Sequence, residues 1–343
     1  MSHSTGDVKL GEPGHIIAMN LDDIGFYTMT DDRCASASVA SPLARGELIL
    51  SSRCNFRCPY CRHVGGGDLP KAQALGIIAA WCRDGLQNLR LSGGEPTMWG
   101  DDPGDLVNLV SRARRLGVRR VALSTNGSAD IQFYKSLCWE GVDDFSVSLD
   151  ACCATDGDRM AGNVAGAWDK VVANIRRLAA WAYTTVGVVL TESNEAQCRE
   201  IVTFASSLGV ADIRVIPAAQ RGSKIEVDPL PPELLARHPI LRYRWGNFLR
   251  GRPVRGLGPG DARRCHLAID DMAVAGGMHY PCIIYLREGG KPIGKFGCHG
   301  MRQDRARWSL VHRTHEDPIC SRNCLDVCVD YNNRFEELHD IGS

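Results

Sequence analysis

The stretch RCNFRCPYC, residues 53–61, decides how the rest of this chain folds and what it binds. Its three cysteines, Cys54, Cys58 and Cys61, stand at a C-x3-C-x2-C spacing that lets their sulfurs converge on one metal centre. Three thiolates can hold three irons of a cubane 4Fe–4S cluster, whose usual ligands are cysteines. The fourth iron would then lack a protein ligand and could bind a small molecule.

Zinc is the competing interpretation of these cysteines. Structural zinc sites are closed by four ligands, usually in paired C-x2-C or Cys/His knuckles, and His63 could supply a fourth. Two features favour the iron–sulfur cluster instead. Tyr60 directly precedes the third cysteine, and the segment SGGEPT, residues 92–97, follows one predicted helix and one predicted strand later.

These motifs, in this order and at this separation, resemble the radical S-adenosylmethionine (radical SAM) superfamily. The similarity continues through STNG at 124–127, VSLD at 147–150 and IRVIP at 213–217, and covers about residues 46–220. It implies that SAM chelates the open iron of a cluster held by the three cysteines of residues 54–61. It also implies that the reduced cluster cleaves SAM to methionine and a 5′-deoxyadenosyl radical.

The resemblance further implies which residues bind SAM. Tyr60 would pack on the adenine, the exposed backbone of Gly93 and Gly94 would receive the amino acid moiety, and the Glu95 carboxylate would bind its ammonium group. The other candidates for SAM contacts are Ser124, Asn126, Ser148, Asp150 and Arg159. An ordinary turn is the alternative for Asn126 and Gly127, since Asn-Gly is a common turn dipeptide. Arg159 could instead pair with Asp158.

Composition limits the class of protein. The chain has 343 residues, 40 basic and 40 acidic side chains and 44% hydrophobic residues, enough for a sizeable core. Zero formal net charge gives no general attraction to nucleic acid or to a membrane. No apolar run resembles a membrane span or signal peptide, so we expect a cytoplasmic protein. In that setting, 15 cysteines indicate metal binding or catalysis more than disulfides.

Strand and helix patterns alternate from residue 47 to residue 216, which predicts parallel βαβ units. Six such units fit a partial (β/α)6 TIM-like barrel, also the fold that the resemblance implies. The predicted domains are an N-terminal extension (1–44), a core barrel (45–220), a connector (221–260) and a small C-terminal domain (261–343). We expect a strand pair at 15–20 and 26–29, and one short helix around 233–238 in the Pro-rich connector.

A second set of cysteines lies in the C-terminal third. Cys265 and Cys282 are related by a C-x11-G-x4-C pattern in which Gly277 turns the chain between two short strands. The pattern resembles the auxiliary-cluster domains of the superfamily, called twitch when they hold one cluster and SPASM when they hold two. It implies one auxiliary 4Fe–4S cluster held by Cys265, Cys282 and two of the three cysteines Cys320, Cys324 and Cys328. Zinc bound by the same residues is the alternative.

The remaining thiols include candidate hydrogen donors for a radical reaction. Cys152 and Cys153 follow the strand that ends near Asp150, and Cys298 lies in a glycine-flanked loop. The leading hypothesis is therefore a radical SAM enzyme that dehydrogenates or epimerises a small polar substrate, such as a sugar, aminocyclitol or nucleoside. It would need an external one-electron donor such as flavodoxin or ferredoxin.

Two further hypotheses remain open. The substrate could be a ribosomally made peptide, although residues 1–44 are too short for a peptide-binding domain of their own. The chain could also be a non-catalytic iron–sulfur or zinc scaffold, which the complete pair of motifs disfavours.

Overall fold

The structure is a computed structural model that describes residues 32–62, 65–219, 225, 227–297 and 300–339. The strand pair predicted before residue 30, the candidate zinc ligand His63 and the candidate hydrogen donor Cys298 lie outside these residues. In the described part of the chain, no helix combines the length and the apolar character needed to cross a membrane.

The strands form one sheet. In chain order they are β1 (Arg45–Ser51), β2 (Asn88–Gly93), β3 (Arg120–Thr125), β4 (Asp144–Ser148), β5 (Tyr183–Leu190), β6 (Asp212–Pro217), β7 (Asp271–Ala275), β8 (Met278–Tyr280) and β9 (Gly294–Lys295). Their spatial order is β6-β5-β4-β3-β2-β1-β7-β8-β9. The pairs from β6 to β7 are parallel, and β7, β8 and β9 pair antiparallel.

Helices connect the parallel strands. The α-helices of the described residues are α1 (Asp32–Ser36), α2 (Lys71–Arg83), α3 (Pro103–Arg115), α4 (Ile131–Glu140), α5 (Ala154–Met160), α6 (Ala167–Trp181), α7 (Cys198–Ser207), α8 (Pro232–Arg237), α9 (Pro239–Leu249), α10 (Ile283–Arg287), α11 (Met301–Val311), α12 (Pro318–Asn323) and α13 (Asp326–Leu338). Strands β1 to β6 with their helices form the predicted partial barrel, whose sheet is not closed. The fold class inferred from strand–helix alternation is confirmed.

Residues of the C-terminal third extend this same sheet. Strand β7 pairs in parallel with β1, and Arg45 lies opposite Asp271. The Arg45 guanidinium is 3.0 Å from the Asp271 carboxylate, and Gly276 and Gly277 take positive φ values in the turn to β8. Strand β7 lies between Cys265 and Cys282 of the second cysteine set. It is therefore hydrogen-bonded directly to β1, the strand that leads into the loop of the first cysteine set.

The two faces of the barrel sheet differ in chemistry because alternate side chains of a strand point to opposite faces. Leu89, Leu91, Val121, Leu123 and Phe145 are buried in the main apolar core. The opposite face carries polar and small residues in paired positions. One row across β1 to β4 is formed by Glu47, Arg90, Ala122 and Asp144. Two residues later along β2, β3 and β4, on the same face, a second row is formed by Ser92, Ser124 and Ser146. Short side chains in the second row leave space at the carboxyl ends of the strands.

The connector contains more helix than the sequence predicts. Helix α8 lies at the predicted position, but α9 follows it at once and packs on β6. The fully buried Asp212 carboxylate of β6 accepts the backbone N–H groups of Ile240 (3.0 Å) and Leu241 (3.3 Å) in the first turn of α9. Because this cap comes from a distant strand, the local Pro-rich composition does not reveal the helix.

We predict that Asp212→Ala lowers the free energy of unfolding by about 1–3 kcal/mol, since two buried N–H groups lose their acceptor. Asp212→Asn keeps an acceptor oxygen and should cost less. Urea denaturation of anaerobically purified protein, followed by circular dichroism, measures the difference. Glu233→Ala, at an exposed position in the neighbouring helix α8, is the control. An Asp212→Ala variant as stable as wild type would contradict this account of α9.

Candidate active site

A cleft of about 270 Å³ opens at the carboxyl ends of the barrel strands. This edge is where parallel-barrel enzymes place their active sites. Cys54, Cys58 and Cys61 line one side of the cleft. The other lining residues are Phe56, Tyr60, Ser92, Gly93, Gly94, Ser124, Thr125, Asn126, Ser146, Ser148, Leu149, Asp150, Gly157, Met160, Ala161, Ala167, Trp168, Val171 and Arg287. The structure thus brings the cysteine loop together with the ends of β2, β3 and β4.

The three thiols form a donor set that fits a metal cluster. Burial, together with the charges of Asp150, Cys61 and Cys54, raises the pKa of Cys58 to about 12. Burial also raises the pKa values of Cys54 and Cys61. Three desolvated sulfurs that line one cleft need a cation to be held as thiolates, and the irons of a 4Fe–4S cluster supply that charge. The residues present therefore fit the cluster predicted from the sequence.

Gly93 and Gly94 hold the cysteine loop by backbone contact. The Gly94 N–H donates to the Ser51 carbonyl at 2.6 Å, and the Glu95 N–H donates to the Arg53 carbonyl at 2.7 Å. A Cβ on Gly93 would lie 2.5 Å from the Ser51 oxygen, and one on Gly94 would lie 2.3 Å from the Arg53 oxygen. Both glycines line the cleft as predicted, but the groups that exclude a side chain belong to the chain itself.

Glu95, the predicted partner of the SAM ammonium group, is held by the chain itself. Its carboxylate is fully buried and does not line the cleft. One oxygen accepts hydrogen bonds from the backbone and hydroxyl of Thr97 and from the Thr125 hydroxyl, and the other accepts the Asn126 N–H at 2.7 Å. Glu95 thus ties the turn after β2 to the end of β3, and its binding of the SAM ammonium group remains a prediction.

Asn126 connects β3 to the cysteine loop. Its side-chain amide donates to the Asn55 amide oxygen at 2.9 Å and lies 3.8 Å from the Cys54 sulfur. Its own N–H is held by Glu95, and its side-chain oxygen accepts the Ser128 N–H at 3.0 Å. Asn126 therefore lines the cleft as predicted and also fixes the first cysteine, a contact that the turn-like sequence Asn-Gly does not indicate.

Tyr60 and Asp150 meet at the opposite wall. The Tyr60 hydroxyl donates to the Asp150 carboxylate, whose other oxygen accepts the Val189 N–H at 2.7 Å. Burial raises the pKa of Asp150 to about 6 in spite of these two hydrogen bonds. The pair anchors the cysteine loop to the ends of β4 and β5. Both side chains line the cleft, and their contacts with SAM remain a prediction.

Arg159, Cys152 and Cys153 lie away from the cleft. The Arg159 side chain is exposed and pairs with Asp156 at 2.6 Å, not with the Asp158 that the sequence offered as its alternative. It does not line the cleft, and its contact with SAM remains a prediction. Cys153 is exposed and donates to Asp156, and Cys152 is partly buried against the core. Gly157 and Met160 of α5 are the residues of this segment that line the cleft.

The serines of the cleft floor are oriented by buried charges. The Ser92 hydroxyl donates to Glu47 at 2.7 Å, so its oxygen remains able to accept. The Ser124 hydroxyl accepts from the Arg90 guanidinium at 2.9 Å, so its proton is free to be donated. Arg90 is in turn paired with Asp144 at 3.2 Å. Two neighbouring hydroxyls thus present one acceptor and one donor to the cleft, a pairing suited to a polar ligand.

Arg287 reaches the cleft from the C-terminal third. It ends helix α10 and donates to the carbonyls of Arg62 (3.3 Å) and Gly93 (3.2 Å). No sequence signal indicates this residue, because it lies 194 positions from Gly93 and belongs to no motif. Ser92 and Ser146 were not predicted as site residues either, although the two-residue period of β2 and β4 places them on the same face as Gly94 and Ser148.

The second set of cysteines lines a separate cavity of about 40 Å³. All five predicted candidates contribute to it: Cys265, Cys282, Cys320, Cys324 and Cys328. Burial raises the pKa of Cys265 to about 12, with Cys328 adding to the shift, and it raises that of Cys282 well above its ordinary value. These mutually close, buried sulfurs also fit a metal cluster, while leaving one cysteine in excess of four ligands.

Cys320, which lines this cavity, also lies beside two potential metal ligands that no sequence motif indicates. His312, Asp317 and Cys320 place one potential ligand atom each within 4.8 Å of one another. The His312 Nε2 lies 3.7 Å from the Cys320 sulfur. A Cys/His/Asp set also suits zinc, so metal analysis has to distinguish the two interpretations of this site.

Comparison with known proteins finds matches for the segment of the chain that contains the first of these sites. The family model of the radical SAM superfamily matches residues 48–205. The GTP 3′,8-cyclase of Rhodopseudomonas palustris is 32% identical over 199 residues, which cover 55% of this chain and 57% of that protein. The GTP 3′,8-cyclase of Acidothermus cellulolyticus is 29% identical, with coverages of 57% and 62%. The chain thus spans little more than half the length of these relatives.

Solved structures show the same fold. Streptococcus suis SuiB bound to S-adenosylmethionine aligns with 82% of this chain and 67% of its own, at a TM-score of 0.56 and 16% identity. The protein anSMEcpe with bound AdoMet and Cp18Cys peptide aligns with 87% of this chain and 98% of its own, at 0.55 and 15%. At such identities the likeness concerns the fold. The segment that matches the radical SAM superfamily, residues 48–205, contains Cys54, Cys58 and Cys61 and all other residues that line the cleft except Arg287.

Proposed function

We propose that this protein is a radical SAM enzyme that acts on a small polar substrate with the help of one auxiliary 4Fe–4S cluster. The observation that carries the proposal is the cleft in which Cys54, Cys58 and Cys61 face the Gly93–Gly94 turn. When bound there, the cluster and SAM would supply a 5′-deoxyadenosyl radical. The chain's own residues would hold SAM between the cysteine loop and the strand ends and would keep water from the reacting atoms.

The polar floor of the cleft is suited to bind a group with hydroxyls, which either the substrate or SAM would supply. Ser92 offers an acceptor and Ser124 a donor, each fixed by a buried charge that costs free energy unless it is paired. The relatives with the higher sequence identity are GTP 3′,8-cyclases, so among sugars, aminocyclitols and nucleosides we favour a nucleoside or nucleotide. A peptide substrate is the runner-up, since an aligned structure contains a bound peptide.

The class of reaction depends on whether the substrate radical loses an electron to a cluster or takes a hydrogen atom from a thiol. In the described part of the chain, the cysteines that line the cleft are the three proposed cluster ligands. This favours oxidation through an auxiliary cluster, or rearrangement, over epimerisation by Cys152 or Cys153. The auxiliary site would be held by four of the five cysteines around the second cavity. An external one-electron donor such as flavodoxin or ferredoxin would reduce the enzyme.

We predict that dithionite-reduced, anaerobically reconstituted protein converts SAM to 5′-deoxyadenosine, slowly even without substrate. Liquid chromatography with mass spectrometry measures the product. Cys58→Ala should abolish it because one iron loses its ligand, and Cys153→Ala, at an exposed position outside the cleft, should not. Formation of S-adenosylhomocysteine without 5′-deoxyadenosine by wild-type protein would overturn the proposal. Enhancement by nucleosides but not by peptides would favour the first substrate class, and the reverse would favour the second.

Iron analysis tests the two sites separately. Two cubane clusters predict about eight irons per chain. Replacing Cys54, Cys58 and Cys61 together by Ala should leave about half of the iron, and replacing Cys265 and Cys282 should remove the other half. Elemental analysis should include zinc. Zinc with four irons in the wild type would assign the C-terminal cavity to zinc and contradict the auxiliary cluster.

The glycine contact yields a further prediction. Gly94→Ala places a Cβ 2.3 Å from the Arg53 carbonyl, so the cysteine loop has to move. We expect this variant to lose the cluster of the loop while retaining that of the C-terminal cavity, which optical spectra and iron content would report. Gly76→Ala, at an exposed position of helix α2, is the control, since its Cβ would meet nothing within 4 Å and its φ, like that of Gly94, is not positive. Full iron in Gly94→Ala would refute the role assigned to this contact.

A further inference from the structure

Arg287 carries a charge that the proposed function leaves unexplained. Of the described residues that line the cleft, it alone is cationic. Its partners there are two neutral carbonyl oxygens, those of Arg62 and Gly93, and no carboxylate of the described chain lies within ion-pair distance of it. A partly buried guanidinium whose hydrogen bonds go to neutral groups keeps its full charge and favours an anion nearby.

The charge lies beside the proposed cluster ligands. The Arg287 guanidinium donates to the carbonyl of Arg62, the residue directly after Cys61, at 3.3 Å. A cluster held by three cysteines has an excess of negative charge, because three thiolates outweigh the positive core. Reduction adds one more negative charge to the same small volume. Net charge and hydrogen bonding near a cluster are among the factors that set its reduction potential.

Helix α10 carries Arg287 from one cysteine site to the other. The helix begins after Cys282, whose sulfur accepts the Tyr285 N–H at 3.4 Å, and it ends at Arg287. The next residue, Glu288, pairs with Arg62 of the cysteine loop at 3.1 Å. A candidate ligand of the auxiliary site and a charge in the cleft are therefore fixed on one short rigid element.

We propose that Arg287 is a positioning residue that provides the counter-charge of the cluster at Cys54, Cys58 and Cys61 and raises its reduction potential. This inference rests on the proposed function. The guanidinium stabilises the reduced, more negative state, which an external one-electron donor generates by transferring a single electron to the cluster. It also holds the Gly93 carbonyl, so the charge stays at a constant place beside the loop.

The test compares Arg287→Gln and Arg287→Lys in reconstituted holoprotein. A redox titration followed by electron paramagnetic resonance measures both clusters, and the cluster of the loop is the one whose signal changes when SAM is added. We expect Arg287→Gln to lower the equilibrium constant for its reduction about tenfold, a shift of about 59 mV for one electron. Arg287→Lys keeps the charge and should shift it less. Arg307→Gln, which removes an exposed charge of α11, should leave both signals unchanged.

Each other outcome counts against the inference. A Gln variant with full iron and an unchanged potential would show that Arg287 is no counter-charge. Loss of the loop cluster in both the Gln and the Lys variant would show that Arg287 only holds the loop in place. Equal shifts of both signals would indicate a general change of the fold. Absence of any SAM-responsive signal in the wild type would instead overturn the proposed function itself, a result distinct from the first three.

Discussion

The cleft depends on a backbone contact between two loops that follow neighbouring strands. The Gly94 and Glu95 N–H groups bond the carbonyls of Ser51 and Arg53, so the cysteine loop lies directly on the turn after β2. Only glycine permits this approach, since a Cβ at either glycine would overlap the Ser51 or Arg53 oxygen. The buried Glu95 then joins the same turn to the end of β3. Three strand ends are thereby fixed relative to three cysteines.

The interior of the barrel is built in two layers with different tasks. The lower layer holds charges, among them Arg90 paired with Asp144. Buried pairs of this kind contribute little net stability, because the cost of desolvating them offsets their attraction. They do fix direction: Arg90 and Glu47 determine which way the hydroxyls of Ser124 and Ser92 face. A small, oriented polar floor below an open space is the outcome.

The two cysteine sites are mechanically linked. Strand β7 extends the barrel sheet beside β1, and α10 runs from Cys282 to Arg287 at the cleft. Because a hydrogen-bonded sheet and a short helix are both stiff, the separation between the sites is set by the fold and not by a flexible linker. The arrangement also explains how a C-terminal residue can contribute to a site formed by the first half of the chain.

The sequence by itself determined the strand–helix order of the barrel and both sets of cysteines, because these depend on local periodicity and on spacing along the chain. Tertiary structure alone decided where single side chains act. Helix α9 is capped by Asp212 of a distant strand, the Glu95 carboxylate turns into the protein, and Arg159 turns out to solvent. Arg287 enters the cleft across 194 positions of sequence. Contacts of that range follow from how the sheet is assembled, and no local pattern encodes them.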